Sequence, residues 1–226
     1  MQIGAIILAA GSSSRMGGVK KEHQRLSTGA TVLESAVYAF LAVSSIDVIV
    51  ITENTEAASS DFLPLEIFNI KKPKILFVNG GNNRRASVFN ALSALAQYSL
   101  DYVLIHDGAR PWVSPSLIEN IITAVKEHGA VIPVLQVTET PKELSENNCQ
   151  SPQRIIKNHL KRINVGIAQT PQAFIFAQIL HAHQRAAMDD EEFTDDAEIW
   201  GKYCGQVAVI PGDPENRKIT FPEDLS

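Results

Sequence analysis

Two cysteines, Cys149 and Cys204, are too few in 226 residues for a disulfide framework, and such sparing use suits a reducing cytoplasm. Positive charge is also scarce. The net charge of −5 argues against a general nucleic-acid binder and against a membrane-surface protein, so any anion site has to be basic locally. No long hydrophobic run occurs. The opening MQIGAIILAAG lacks a basic leader and is too short for a membrane span, so it reads as a buried strand rather than a signal peptide. The six histidines are scattered, with no pair at metal-ligand spacing, which argues against a zinc site. Neither a P-loop nor a GxGxxG fingerprint is present, and without the latter a dinucleotide-dependent oxidoreductase has little support. No internal repeat or low-complexity block interrupts the chain.

What the chain does have is alternation. Short apolar runs at 5–10, 47–52, 74–79, 102–107, 130–135 and 206–211 read as strands. Several are apolar at consecutive positions, as strands buried on both faces must be. Segments of helical period lie near 31–43, 84–98, 115–128, 173–188 and 194–203. Ser114 before Pro115 makes a good cap and first-turn pair. The pattern predicts an α/β fold: a single Rossmann-like, mostly parallel sheet over 1–226, with helices on both faces. The interval 136–168 is polar and proline-bearing, and is expected to leave the sheet as an arm. In such folds ligands collect where strands end, so the residues just after each strand carry the functional argument.

The stretch LAAGSSSRMGGVKK (8–21) follows the first strand with small residues and then Arg15, Lys20 and Lys21. Exposed backbone N–H groups followed by fixed positive charge suit a polyphosphate, with arginine binding oxygens as a planar fork. The stretch NGGNNRRASVFNAL (79–92) follows another strand. Its Gly80-Gly81 pair lets the backbone lie close to something flat, and Ser87 can start a helix. In LIHDGARPWV (104–113), Asp107 falls where an apolar strand ends and is a natural Mg²⁺ ligand beside phosphate-binding loops. Arg110 follows on a stiff turn, and His106 reads as packed or hydrogen-bonded rather than as a base. FTDDAEIW (193–200) reads as a helix start with Thr194 as the possible cap, and NRKITFPEDL (216–225) places Lys218 in a short strand before a proline.

LAAGSSSRMG, GGNNRRASV, HDGARP, AQTPQAF, FTDDAEIW and NRKITFPEDL, in this order and over nearly the whole chain, resemble the sugar-alcohol phosphate cytidylyltransferases, in particular the 2-C-methyl-D-erythritol 4-phosphate cytidylyltransferase family. The resemblance implies roles for individual residues. Ala9, Ala10, Gly11, Gly81 and Ser87 would hold the cytosine end of CTP. Arg15 and Lys21 would grip its triphosphate, with Lys21 taken over its neighbour Lys20. Asp107 would sit beside Mg²⁺ and the attacking substrate, and Arg162 would bind the substrate phosphate. Arg110, Thr140, Thr194 and Lys218 would be substrate-side positions. The family's arm implies a homodimer in which Thr140 and Arg162 serve the neighbouring subunit.

The reaction so implied is transfer of CMP from CTP to 2-C-methyl-D-erythritol 4-phosphate with release of pyrophosphate, in isoprenoid precursor synthesis. A phosphate monoester is already anionic at neutral pH, so no general base is needed, and positioning with charge neutralisation suffices. The acceptor stays open between methylerythritol phosphate and ribitol 5-phosphate or a related polyol phosphate, because the family's usual Asp-Thr-Ile-Lys reads Glu139-Thr140-Pro141-Lys142 here. A CTP-binding protein without catalysis is the alternative of another class.

Overall fold

Residues that are apolar at consecutive strand positions need cover on both faces, and the fold supplies it. The computed structural model describes residues 1–11, 20–53, 63–145, 153–189 and 191–225. Its strands are β1 (Ile3–Leu8), β2 (Val48–Glu53), β3 (Lys74–Asn79), β4 (Tyr102–Asp107), β5 (Ala130–Gln136), β6 (Lys142–Leu144), β7 (Ile156–His159), β8 (Gly166–Ala168), β9 (Gln172–Ile175) and β10 (Ala208–Pro211). The helices are α1 (Val32–Leu41), α2 (Arg84–Leu95), α3 (Pro115–His128), α4 (Phe176–Ala186) and α5 (Asp196–Tyr203).

The main sheet runs β10-β5-β9-β4-β1-β2-β3, with β8 added along β5. Pairing is parallel between β1 and β2, β1 and β4, β2 and β3, and β5 and β10. β9 is antiparallel to both β4 and β5. The two faces of β1 show how the packing works. Ile3, Ala5 and Ile7 meet Leu33, Val37 and Phe40 of α1 and Leu117, Ile121 and Val125 of α3. Ile6 faces the other way, into Val88, Leu92 and Leu95 of α2, Ile179 of α4 and Trp200 of α5.

Local signals set the helix ends. Thr31 and Glu34 form a reciprocal capping box at α1, which satisfies two donors that a helix start would otherwise leave open. Ser114 caps α3 and Pro115 is its first residue, as expected. Two expected starts are corrected. Asn83, not Ser87, caps α2 by accepting from the Ala86 amide at 2.8 Å. Asp195, not Thr194, caps α5, and it accepts from the Glu198 amide at 2.9 Å.

Three further departures have physical reasons. The expected helix at 173–188 opens with a strand, β9, because Gln172–Ile175 fills the gap between β4 and β5 and α4 begins directly behind it. Within 136–168, β6 and β7 form a separate two-stranded ribbon. Gln136 and Gly166 instead pair with each other in the main sheet. Lys218 is not in a strand: its segment is irregular, held by the buried Ile219, whose amide donates to the Ala109 carbonyl at 2.8 Å.

The two-sided core predicts a contrast in stability. Leu92→Ala removes a fully buried side chain and is expected to lower the urea-unfolding free energy by about 2–5 kcal/mol. Leu65→Ala, at a position 81% exposed, is expected to change it little. Equal losses at both positions would contradict the packing.

Candidate active site

Register decides which loops meet. Leu8 at the end of β1 stands opposite Asp107 of β4 and Thr52 of β2, and Glu53 of β2 stands opposite Asn79 of β3. The segments beginning at Ala9, Gly80 and Gly108 therefore leave the sheet along one edge, the place where ligands collect in parallel α/β sheets.

Two of these segments touch. Ala9 is still tied to β2, its amide lying 3.1 Å from the Thr52 hydroxyl and 3.2 Å from the Thr52 carbonyl oxygen. Ala10 then passes so close to Gly80 that a Cβ on the glycine would fall 2.2 Å from the Ala10 methyl. A Cβ on Gly81 would fall 2.3 Å from that of Ala86. The glycine pair thus brings the first loop and the start of α2 together. The Ser87 hydroxyl accepts from the Gly81 amide and donates to the Asn83 carbonyl, both at 3.0 Å, so it fixes the loop's shape. At the far end of the first loop, Lys20 Nζ donates to the Gly11 carbonyl at 2.8 Å. Lys21, half-buried, opens a 3-10 turn (Lys21–His23). Arg15 lies outside the described residues.

Asp107 is the centre of charge. Its carboxylate accepts from Lys218 Nζ at 2.7 Å, lies 3.5 Å from Arg84 Nε and 3.8 Å from Arg110 Nε. Burial alone would raise its pKa, but Lys218, Arg84 and Arg110 together hold it well below the usual carboxylate range. Arg84 also binds the fully buried Asp196 through Nη2 at 2.7 Å. Lys218, Arg84 and Arg110 thus meet Asp107 and Asp196, with Asp195 also acting on Arg84, at the edge where the basic first loop emerges.

The same strand end is neutral one residue earlier. The Asp107 amide donates to Thr170 Oγ1 at 3.0 Å, Thr170 Oγ1 lies 3.1 Å from His106 Nδ1, and His106 Nε2 lies 3.2 Å from the Arg110 carbonyl. One set of protons satisfies this chain: the threonine hydroxyl donates to Nδ1 and Nε2–H donates to the carbonyl. Burial lowers the His106 pKa to about 4. His106 is therefore a neutral, packed histidine with both nitrogens engaged, as the sequence suggests.

The Lys218 segment is tied down from the opposite side. Gln169 Nε2 donates to the carbonyls of Asp213 at 2.8 Å and Asn216 at 3.1 Å, and its Oε1 accepts from the Asp213 amide at 3.0 Å. Asn216 Nδ2 donates to the Thr170 carbonyl at 2.8 Å. Arg110, expected on the substrate side, is buried and turned inward, with Nη1 donating to the Asn216 carbonyl at 2.7 Å.

The remaining expected residues lie apart from Asp107 in their contacts. Arg162 is exposed and donates to the Thr138 carbonyl at 2.6 Å, and Thr140 is exposed at the root of the β6–β7 ribbon. Thr194 is exposed, its amide and hydroxyl both donating to Glu198 Oε2. Sequence reading missed Arg84, Gln169, Thr170, Asn216 and Asp196 as site residues. All lie within the motifs it singled out, but their partners lie in other segments, from 13 residues away for Asp196 and His183 to 112 for Arg84 and Asp196, beyond what spacing reveals.

Comparison with known proteins places the chain in a family. The sequence profile described as 2-C-methyl-D-erythritol 4-phosphate cytidylyltransferase matches residues 3–226. A bifunctional enzyme IspD/IspF from Nitrobacter winogradskyi is 39% identical over 223 residues, covering 98% of this chain and 53% of that protein. One from Bartonella henselae is 37% identical and covers all of this chain and 55% of its own. The chain thus spans about half the length of the curated relatives it matches. Among solved structures, 4-diphosphocytidyl-2C-methyl-D-erythritol synthase from Anaerococcus prevotii superposes with a TM-score of 0.84 at 29% identity, covering 99% of this chain and 92% of that one. The 2-C-methyl-D-erythritol 4-phosphate cytidylyltransferase of Thermus thermophilus gives 0.76 at 31%, covering 100% and 96%. With the profile matched from the first strand to the last residue, the chain belongs to the 2-C-methyl-D-erythritol 4-phosphate cytidylyltransferase family.

Proposed function

We propose that this protein transfers CMP from CTP to 2-C-methyl-D-erythritol 4-phosphate, giving 4-diphosphocytidyl-2-C-methyl-D-erythritol and pyrophosphate, in the cytoplasm. The observation that carries this reading is Asp107 at the end of β4, ringed by Lys218, Arg84 and Arg110, at the edge where the basic first loop also emerges. The acceptor's phosphate oxygen attacks the α-phosphorus of CTP. A bond forms there, the bond from the α-phosphorus to the β-bridging oxygen breaks, and pyrophosphate leaves with that oxygen. The nucleophile is already an anion, so the barrier is the meeting of two anions, and catalysis is positioning plus charge neutralisation. His106, neutral and engaged at both nitrogens, has no proton-transfer role in this scheme.

The base end of CTP lies against Ala9, Ala10, Gly11, Gly81 and Ser87, where the two loops meet. Arg15 and Lys21 receive the triphosphate. Lys218, part exposed above Asp107, turns from the carboxylate to the incoming phosphate oxygens. Mg²⁺ takes one or two carboxylates and completes its shell with phosphate oxygens and water. Asp107 offers one carboxylate, its oxygens already face cations, and no cluster of three acidic, cysteine or histidine side chains occurs among the described residues. This donor set fits a cation carried in on the triphosphate rather than held by the protein alone. Bound there, Mg²⁺ supplies further neutralisation of the triphosphate. No helix among the described residues is long and apolar enough to cross a membrane.

The arm serves a second copy of the chain. Ile155, Ile156, Ile163 and Ile167 are exposed large apolar side chains around the β6–β7 ribbon, Ile163 to 83%, and such a patch on a polar segment favours burial against a partner. In the homodimer, Thr140 and Arg162 act at the partner's site, a reading that fits their exposure on the arm in their own chain.

Pyrophosphate release with CTP and Mg²⁺ is expected to be rapid with methylerythritol phosphate and slow with ribitol 5-phosphate; the reverse preference would move the protein to polyol-linked polymer synthesis. Arg15→Ala and Lys218→Met are each expected to lower turnover by about 10²–10³-fold with the fold retained by circular dichroism. Near-normal turnover in either variant would sink that assignment. Mixing the inactive variants Arg162→Ala and Lys218→Met is expected to restore activity through hybrid dimers, and no recovery after subunit exchange would refute a site shared between copies.

A further inference from the structure

Asp196 poses a question of cost. It is the first residue of α5 and fully buried, and a buried carboxylate is unfavourable unless well paired. Helix capping does not account for it, because Asp195 performs that task. Asp195 is further held by Gln172, whose Nε2 donates to Oδ2 at 2.8 Å, while Gln172 Oε1 accepts from the Ala197 amide at 3.0 Å. The helix start is satisfied without the Asp196 side chain.

The two oxygens of Asp196 reach two other helices. Oδ2 accepts from Nη2 of Arg84, the first residue of α2, at 2.7 Å, and Oδ1 lies 3.1 Å from Nε2 of His183 in α4. His183 is fully buried and its Nδ1 has no hydrogen-bond partner, so the tautomer that fits carries its proton on Nε2 and donates it to Asp196. Arg84 continues toward the site, where its Nε lies a looser 3.5 Å from Asp107 Oδ1. A guanidinium is rigid and planar, so fixing one nitrogen fixes the others. The short bond to Asp196 is the anchor, and the longer approach to Asp107 is its consequence.

From this geometry we infer that Asp196, backed by His183, is a positioning residue for the active site. It clamps Arg84 so that only the Nε edge faces Asp107, leaving the other carboxylate oxygen to Lys218 and Arg110 and holding Lys218 where it can turn to the reacting phosphates. Without the clamp, Arg84 closes bidentately on Asp107 and displaces Lys218. The inference rests on the cytidylyl-transfer reading for its catalytic consequence, but the clamp itself has a readout that does not.

Asp196→Asn keeps the shape and removes the charge. It is expected to lower kcat on the order of 10²-fold, the cost of a small misplacement at a reacting centre, with the KM for CTP changed far less. In an Arg84→Ala background the same substitution is expected to cause little further loss, because Asp196 acts only through Arg84. A purely structural role would instead give losses that multiply. The Nε–Hε signal of Arg84 in a low-temperature proton–nitrogen NMR spectrum, assigned by its loss in Arg84→Lys, is expected to be sharp in the wild type and broadened by exchange in Asp196→Asn. Multiplying losses, or an unchanged Arg84 signal, would overturn the clamp. Loss of the signal in Asp196→Asn with no wild-type turnover would refute the cytidylyl-transfer reading and leave the clamp standing. If Asp196→Asn does not fold, His183→Gln, which keeps a donor toward Asp196, is expected to give a smaller change of the same kind; no change in its Arg84 signal or turnover would overturn the role given to His183.

Discussion

A carboxylate at the end of a buried parallel strand cannot stay ionised without cations around it, and Asp107 is such a carboxylate. Burial works against its charge, while Lys218, Arg84 and Arg110 more than offset that penalty. Each cation comes from a different part of the chain, so satisfying Asp107 draws the fold together at one point. Arg110 joins the β4 turn to the segment at Asn216, and Gln169 and Asn216 bind that segment again from behind. Arg84 joins α2 to α5 through Asp196. The cations that make the carboxylate tolerable are also those that two phosphate-bearing substrates would need.

The loops at the sheet edge divide the work in a physically sensible way. Gly80 and Gly81 remove side chains where the first loop and α2 must approach within contact distance, and Ser87 holds the shape that results. This end is built of small side chains packed closely together, which would suit the flat base of the proposed nucleotide. The other end, with Lys21, Lys218 and Asp107, is charged. A nucleotide has the same asymmetry.

Much of this was legible in the sequence, for reasons that differ between elements. β3, β4 and α3 were read with their observed limits because each is bounded by abrupt changes of polarity or by a cap. β9 was not, because a four-residue strand running straight into a helix has apolar spacing compatible with either. Asp107 stood out as an acid closing an apolar run. Arg84 and Asp196 did not, since each lies beside a residue of the same charge, Arg85 and Asp195, and nothing local says which of the pair turns inward. Arg110 stood out as a cation on a stiff turn, but its tie to the Asn216 carbonyl, far along the chain, has no local signal.

The account stands on Asp107 being ionised and answered by Lys218. The most direct measurement is the urea-unfolding free energy of Asp107→Asn, Lys218→Met and the double variant. Each single substitution is expected to destabilise the protein. In the Asp107→Asn background, Lys218→Met is expected to recover stability, because it removes a cation that now meets only other cations. Losses that simply add would contradict the account, since they would mean that the two groups do not sense each other's charge.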